Sequence, residues 1–281
     1  MPTCMFGRVH TFPGSSAPVD VDVTKPNVAR VYDYYLGGAH NFDADRDFAH
    51  RIMAKFPEAR TFALENRAFQ RRAVRWVAGQ GVTQFLDLGS GIPTVGPTHE
   101  TARSVRPDAS VVYVDIEPVA VAHSSLMLEG DPRAAIVQRD LRDVPGVLRE
   151  AGRTLDFSRP VAVMILAMLH FLSDEDDPAA VIARYSAALA PGSYLVISHA
   201  TVEGPVGDRV AEAAARYAET TLPGHMRDRT QVANMLAGLE LVDPGYGDGG
   251  PRIVWTPEWH PDCEVRHPEQ SVAYAAVARK P

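Results

Sequence analysis

One acidic residue and two glycines at short spacing have the chemistry of a nucleotide-binding turn. Asp87 is followed by Gly89 and Gly91 within residues 85–94, where an apolar run passes through glycines into a helix-like segment. Glycine lets a ligand approach the backbone closely, and the first N–H groups of a helix are free to bind an anionic group. Thr94 stands where a dinucleotide-binding fingerprint would have its third glycine. Glycine turns also occur as plain connections, so this motif alone does not assign a ligand.

A second carboxylate, Asp115, closes the next apolar run. An acidic residue at this place can accept hydrogen bonds from two neighbouring ribose hydroxyls, and Ile116 would then lie against one face of an adenine ring. The alternative is that Asp115 or Glu117 only caps the helix that opens at Pro118. Both interpretations can hold, because the two carboxylates can divide these tasks.

A third carboxylate, Asp140, follows the third apolar run. It could accept a hydrogen bond from an adenine amino group, while the N–H of Leu141 donates to the ring; by itself it is more often a helix cap. The carboxyl ends of parallel strands meet at one edge of a sheet. The sequence therefore predicts that Asp87, Asp115 and Asp140 face one crevice.

Two histidines are candidates for acid–base chemistry. His170 follows the fourth apolar run and His199 the fifth, so both are predicted to emerge at the same crevice edge. Histidine titrates near neutral pH and could deprotonate a hydroxyl or amine, although a histidine at a strand end is more often a packing residue. The acidic run 173–178 and the His/Cys segment 260–267 lack the ligand spacing of Ca²⁺ and Zn²⁺ sites, so we expect no metal.

The elements that position these residues alternate between short apolar runs and amphipathic segments. Runs without polar alternation are typical of strands buried on both faces, and repeated strand–helix units predict a doubly wound α/β domain with a mostly parallel sheet. The predicted strands are residues 84–88, 111–114, 135–137, 161–169, 194–197, 239–242 and 272–278. The predicted helices of this part are residues 99–105, 118–128, 141–151, 177–189, 208–220 and 229–237.

The N-terminal part has a different pattern. Residues 1–26 predict a flexible leader, and helices are expected at residues 43–56 and 58–78, with Asn66 as the polar residue inside an apolar stripe. Residues 32–42 hold three tyrosines, two glycines, a histidine and an asparagine, a composition that favours a shaped loop. This loop could be a lid over a ligand or a wedge that packs tyrosines against the sheet.

Composition limits the class of protein. The chain has 281 residues, 46% of them hydrophobic, and 28 basic against 35 acidic residues give a net charge of −7. The hydrophobic content excludes a disordered chain. The negative net charge disfavours nucleic acid or an anionic membrane as partner. The longest apolar run, residues 161–169, is far shorter than the ~20 residues of a membrane helix, and no secretory signal is visible. With Cys4 and Cys263 interpreted as free thiols, we expect a soluble, cytoplasmic protein.

The chain resembles the class I S-adenosylmethionine-dependent methyltransferases. The D-x-G-x-G turn, Asp115 and Asp140 match that superfamily. More narrowly, residues 29–42, 170–172 and 190–200 resemble the S-adenosyl methyltransferase-like family of GC-rich bacteria, and the resemblance extends from residue 26 to the C-terminus. It implies a Rossmann-like, seven-stranded sheet whose last strand is antiparallel. It also implies S-adenosylmethionine as cofactor and names no acceptor.

On this interpretation the chain divides into a leader (1–26), an N-terminal helical lid or extension (27–80) and a methyltransferase core (81–281). Tyr32, Asn41 and Arg67 are expected to hold the carboxylate and ammonium of the cofactor. The acceptor is expected to be a small molecule that enters between this lid and the two histidines. A nicotinamide-dependent oxidoreductase and a non-catalytic cofactor-binding regulator are the alternatives, since a fold does not fix a function. The oligomeric state stays open.

Overall fold

The computed structural model describes residues 22–217 and 222–281. Cys4, nearly all of the predicted leader and the end of the predicted helix 208–220 lie outside these residues. The helices are α1 (Val28–Tyr35), α2 (Asp43–Lys55), α3 (Glu58–Gly79), α4 (Thr98–Arg103), α5 (Pro118–Met127), α6 (Val144–Ala151), α7 (Pro178–Ala188), α8 (Gly207–Arg216) and α9 (Arg229–Asn234). The strands are β1 (Gln84–Leu88), β2 (Ser110–Asp115), β3 (Ala134–Gln138), β4 (Ala162–Leu166), β5 (Tyr194–Ala200), β6 (Glu240–Leu241), β7 (Val254–Trp255) and β8 (Ala273–Arg279).

The strands form one eight-stranded sheet in the order β3-β2-β1-β4-β5-β8-β6, with β7 also paired to β8. β1 to β5 are mutually parallel, and β8 runs antiparallel to β5. The order reverses between β1 and β4, so a crevice opens there at the carboxyl ends of the strands. The predicted doubly wound α/β fold with an antiparallel last strand is confirmed.

The sheet has one more strand than predicted. The outer edge of β8 is paired by two strands of two residues each, β6 near its end and β7 near its start. Between them, residues 243–253 contain prolines, which cannot donate to a ladder, and Gly245, Gly247 and Gly250 with left-handed φ values. This composition interrupts a single edge strand and divides it into two.

Helices cover both faces of the sheet. On one face, α6, α7 and α9 pack against the aliphatic side chains of β1, β2, β4 and β5. On the other, α3 and α4 pack against Phe85, Tyr113 and Met164. A third apolar cluster joins α1 and α2 to α8 and the start of α3. These N-terminal helices therefore lie over the carboxyl ends of the strands.

The loop prediction for residues 32–42 is only partly right. Residues 32–35 are the last turn of α1, because Asn27 caps that helix by accepting from the N–H groups of Ala29 and Arg30. The remainder is a turn closed by the buried Asp33, whose carboxylate accepts from the His40 N–H at 2.8 Å. Its other oxygen accepts from the Thr94 hydroxyl at 3.0 Å, which ties this turn to the glycine turn.

Candidate functional site

A cavity of about 360 Å³ lies between the carboxyl ends of the strands and the N-terminal helices. Its floor is formed by the ends of β1, β2, β4 and β5, and its roof by α1, α2, α3 and α8. The roof is fixed to the floor by Arg30, whose buried guanidinium contacts Asp45 at 2.8 Å and Glu117 at 3.2 Å. Asn27 adds a 2.5 Å hydrogen bond to Glu117. These contacts place α1 directly above the residue that follows β2.

The glycine turn has the shape that its sequence predicts. Gly89 and Gly91 have φ values of 67° and 62°, which other residues adopt only with strain. A Cβ on Gly89 would lie 2.3 Å from Cγ of Met168, so this position also needs glycine for space. A Cβ on Gly91 would meet no heavy atom of the described residues within 4 Å, and this open space leaves room for a ligand.

Asp115 completes this turn. One carboxylate oxygen accepts from the Gly91 N–H at 2.7 Å and the other from the Glu117 N–H at 2.8 Å. The residue is only 7% exposed and lines the cavity, and burial raises the pKa of its carboxyl. Each carboxylate oxygen can accept more than one hydrogen bond. Asp115 therefore shapes the glycine turn and keeps capacity for ligand hydroxyls.

Asp87, on β1, also lines the cavity and is more deeply buried than Asp115. Its carboxylate accepts from the Thr98 hydroxyl at 2.6 Å, and burial raises its pKa to about 6. The Arg67 guanidinium is close enough to lower that pKa in part. A carboxyl that titrates near neutral pH beside a cation is typical of functional sites.

Arg67 is a buried cation of the cavity wall that is only partly satisfied. It is 6% exposed, its Nε has no hydrogen-bond partner among the described residues, and Nη1 donates to Gln70 at 2.6 Å. Its guanidinium carbon lies 5.9 Å from the centre of the Tyr32 ring. A buried cation without a carboxylate within salt-bridge distance in the described residues is costly unless a ligand pairs with it.

The comparisons with known proteins identify the family. Residues 14–281 match the family described as S-adenosyl methyltransferase. The chain belongs to this S-adenosyl methyltransferase family. A candidate methyltransferase from Thermobifida fusca YX is 40% identical over 92% of this chain and 96% of its own, with a TM-score of 0.85. A DUF574 family protein from Streptomyces avermitilis MA-4680 is 37% identical over 92% and 99% of the two chains, also with a TM-score of 0.85.

The fold is shared more widely. The pyocyanin biosynthetic protein PhzM is 17% identical, with a TM-score of 0.50 over 89% of this chain and 62% of its own, and this likeness concerns the fold alone. No curated protein matches the sequence. S-adenosylmethionine is the cofactor of the family.

The cavity fits this cofactor in chemistry. The glycine turn leaves open space beside Gly91, Asp115 offers carboxylate oxygens, and the buried Arg67 adds a cationic side chain to the cavity wall. Ile116 is 56% exposed at the cavity wall, where a flat ring could cover it. All four of these residues, which the sequence predicts to bind the cofactor, therefore line one cavity.

The adenine contacts expected of Asp140 and Leu141 stay a prediction. Asp140 and Leu141 line a smaller cavity of about 80 Å³ that shares Asp115 and Ile116 with the larger one. The Asp140 carboxylate is already engaged, because Arg142 donates to it from its backbone at 2.8 Å and from its guanidinium at 2.9 Å. Burial alone would raise the pKa of Asp140, but these hydrogen bonds lower it. Asp140 thus positions Arg142, which also contacts Asp176 at 2.7 Å.

The prediction for Asn41 is wrong in its placement. Its side-chain amide donates to Asp33 and to the Gly38 carbonyl, each at 3.0 Å, and its oxygen accepts from Arg46 at 3.0 Å. These hydrogen bonds hold its own turn and the start of α2, and Asn41 is not among the residues that line the cavity. Tyr32 does line the cavity, but its hydroxyl already donates to the Ala63 carbonyl and accepts from Asn66.

The prediction that His199 emerges at the crevice edge is also wrong. β5 pairs with β8 as far as Ala200, so His199 lies inside a strand with its side chain fully buried. Its Nδ1–H donates to the Ala200 carbonyl at 2.6 Å, and Nε2 lies 3.4 Å from Arg227. Burial lowers its pKa to about 4. His170, in a short 3₁₀ turn after β4, does line the cavity.

Asn66 has a role that the sequence did not indicate. Its amide donates to the Tyr32 hydroxyl at 2.8 Å, and its oxygen accepts from the Ser198 hydroxyl at 2.6 Å. The Ser198 oxygen in turn accepts from the N–H of Ala167, which has a left-handed φ of 53° at the end of β4. This buried chain of hydrogen bonds connects α1 to the cavity floor. The polar interruption of an apolar stripe was its only sequence signal.

The acidic run 173–178 has structural partners. Asp174 contacts Arg227, Asp176 contacts Arg142 and Ser173, and Asp177 caps α7. Within residues 22–217 and 222–281, no group of three or more His, Cys, Asp or Glu residues is placed to hold a metal ion. None of the described helices is both long and apolar enough to cross a membrane. Cys263 is an exposed free thiol.

Proposed function

We propose that the protein transfers the methyl group of S-adenosylmethionine to an uncharged small molecule held beside the cofactor. The observation that carries this proposal is the division of the cavity into two ends of different chemistry. The strand ends supply the glycine turn and Asp115, and α3 adds Arg67 close to Asp87, whereas the rest of the roof supplies an apolar wall. A cofactor bound across the strand ends would have its reactive end directed toward that wall.

We call the apolar end the acceptor chamber. It is lined by Tyr35, Ile52, Phe56, Phe62, Val210 and Val272, which belong to one apolar cluster. Its aromatic and aliphatic walls support an apolar acceptor, and its roof would exclude water from the reacting atoms. Because the sulfonium of the cofactor is already activated when bound, alignment and water exclusion can supply most of the acceleration.

The positions of the predicted site residues around the cavity support a set of proposed cofactor contacts. Asp115 would bind the ribose hydroxyls, Ile116 would cover one face of the adenine, and the Leu141 N–H would donate to its ring. Arg67 would bind the carboxylate. The net charge of −7 and the enclosed chamber support a small molecule rather than nucleic acid as acceptor.

The test follows the methyl group. The full-length protein is incubated with S-adenosylmethionine carrying a tritiated methyl group and a small-molecule extract of the native host, and the label is then fractionated. We expect label in an organic-soluble product with wild type and much less with Asp115→Asn. Label found only in precipitated protein or nucleic acid would contradict a small-molecule acceptor. Tight cofactor binding without any transferred label would instead favour a non-catalytic binding protein.

A further inference from the structure

The charged groups of the cavity are confined to one end. Asp87, Asp115 and Glu117 lie on β1 or at the end of β2, and Arg142 follows β3. Arg67 is close enough to Asp87 to lower its pKa, so it belongs to the same end. Among the described residues, the acceptor chamber therefore has no side chain that would neutralise a charged acceptor.

His170 lines the cavity beside the acceptor chamber and has a polar ring. Its ring centre lies 6.3 Å from that of Phe62, in an edge-to-face arrangement, and both residues line the cavity. Nδ1 accepts a hydrogen bond from the Ala200 N–H at 3.3 Å. Nε2 has no hydrogen-bond partner among the described residues and is not sealed off by them.

The Ala200 contact determines where the proton of the ring lies. A backbone N–H can only donate, so Nδ1 must carry its lone pair, and a neutral imidazole then has its proton on Nε2. Protonation of Nδ1 would break this hydrogen bond and place a second cation near Arg227. Burial first, and then His199 and Arg227, lower the pKa of His170 well below its ordinary value.

Arg227, the guanidinium nearest His199, is well paired. Its guanidinium donates to the carbonyls of Leu169 and Leu172 and contacts Asp174 at 2.6 Å. His199, whose Nδ1–H donates to the Ala200 carbonyl, presents the bare Nε2 to Arg227. The groups packed around His170 thus all favour its neutral form.

We propose that His170 presents a fixed Nε2–H donor to the acceptor chamber, which selects an uncharged, largely apolar acceptor bearing a hydrogen-bond-accepting oxygen or nitrogen. His170 binds this atom and does not remove a proton from it, since Nε2 already carries one. A proton that the acceptor loses after methylation therefore passes to water only when the product leaves the chamber. This inference rests on the proposed function only in naming the chamber as the acceptor's site.

The first test measures the tautomer directly. Long-range ¹H–¹⁵N correlation spectra of the ¹⁵N-labelled full-length protein report which ring nitrogen of each histidine carries a proton. His170→Gln and His170→Asn each identify the His170 signals by their disappearance. We expect the Nε2–H form, unchanged between pH 6 and 8. A proton on Nδ1, or titration within this range, would overturn the proposal.

The second test uses three probes with one flat ring system: naphthalene, 2-acetylnaphthalene and 2-naphthoate. We expect the wild-type protein to bind the ketone about 3- to 10-fold more tightly than naphthalene, the gain of one hydrogen bond, and the carboxylate most weakly. His170→Gln, which can still donate, should keep the preference for the ketone. His170→Leu should abolish it. Tightest binding of the carboxylate, or an unchanged preference in His170→Leu, would contradict the proposal.

Two controls separate the possible failures. In the wild-type spectrum, the ketone should shift the Nε2–H signal of His170 and naphthalene should not, so the result does not depend on a variant that folds. S-adenosylhomocysteine binding is measured by calorimetry on the same samples. Absent cofactor binding with the ketone preference intact would refute the proposed function alone, whereas normal cofactor binding without the preference would refute this inference alone.

Discussion

Replacement of Arg67 by methionine should have opposite effects on the free protein and on cofactor binding. Arg67 is 6% exposed, and its Nε has no partner within the described part of the chain. Methionine preserves most of the apolar length of the side chain and removes the buried charge. Because an unpaired buried cation is costly, the ligand-free variant should melt at the same temperature as wild type or higher.

Cofactor affinity should fall in the same variant. A hydrogen bond between charged groups contributes about 1.5–3 kcal/mol, which corresponds to an approximately 10- to 150-fold increase in Kd. Calorimetry with S-adenosylhomocysteine measures this increase. Arg67→Lys, which keeps the charge but loses the planar geometry, should give an intermediate Kd.

A second ligand identifies the group that Arg67 binds. 5′-Methylthioadenosine has the adenosine and sulfur of the cofactor but no carboxylate. If Arg67 binds the carboxylate, the substitution should leave the Kd of this ligand unchanged within about twofold, an expectation of independent contacts. An equal loss of affinity for both ligands, or a large loss of stability in the ligand-free variant, would refute the reasoning.

Three further predictions concern the cavity wall. Asn66→Leu leaves the Ser198 hydroxyl buried without an acceptor, which should cost ~1–3 kcal/mol, and in denaturant titrations its effect and that of Ser198→Ala should not add, because the two groups share one hydrogen bond. Burial raises the folded-state pKa of Asp87 from 3.8 to about 6. Between these values the folded state holds a proton that the unfolded state has lost, so stability should fall by up to ~3 kcal/mol as pH rises from about 4 to 6, and Asp87→Asn should remove this dependence in melts across that range. Ile116→Ser should leave the free energy of unfolding within ~0.5 kcal/mol of wild type but weaken the binding of S-adenosylhomocysteine roughly tenfold in calorimetry. The reason is that the exposed side chain contributes to ligand binding and not to the folded core.

The sheet could be predicted well because its signals are local. Buried parallel strands are continuous apolar runs, and β1, β2 and β5 begin and end within a few residues of the predicted positions. The glycine turn and Asp115 could be predicted because both lie at the ends of parallel strands, which meet at one edge of a doubly wound sheet. The strand predicted at residues 239–242 is β6, whereas β7 was missed because a two-residue strand has no periodicity to detect.

The site was predicted less completely because it depends on contacts between distant parts of the chain. Asp140 and Asn41 have the expected residue types, but Arg142 and Asp33 engage their side chains. His199 was misplaced because the polar Ser-His pair resembles a strand end, whereas pairing with β8 continues the strand to Ala200. No local pattern indicates a hydrogen bond across 132 residues of sequence, such as the one between Ser198 and Asn66.

The most direct test of the central proposal is a crystal structure of the full-length protein with S-adenosylhomocysteine. We predict the ribose hydroxyls on Asp115, the adenine against Ile116, the carboxylate on Arg67 and the sulfur atom open to the acceptor chamber. The ligand's adenosine inside the chamber, or its sulfur directed away from Phe62 and His170, would contradict the proposal that methyl transfer takes place there.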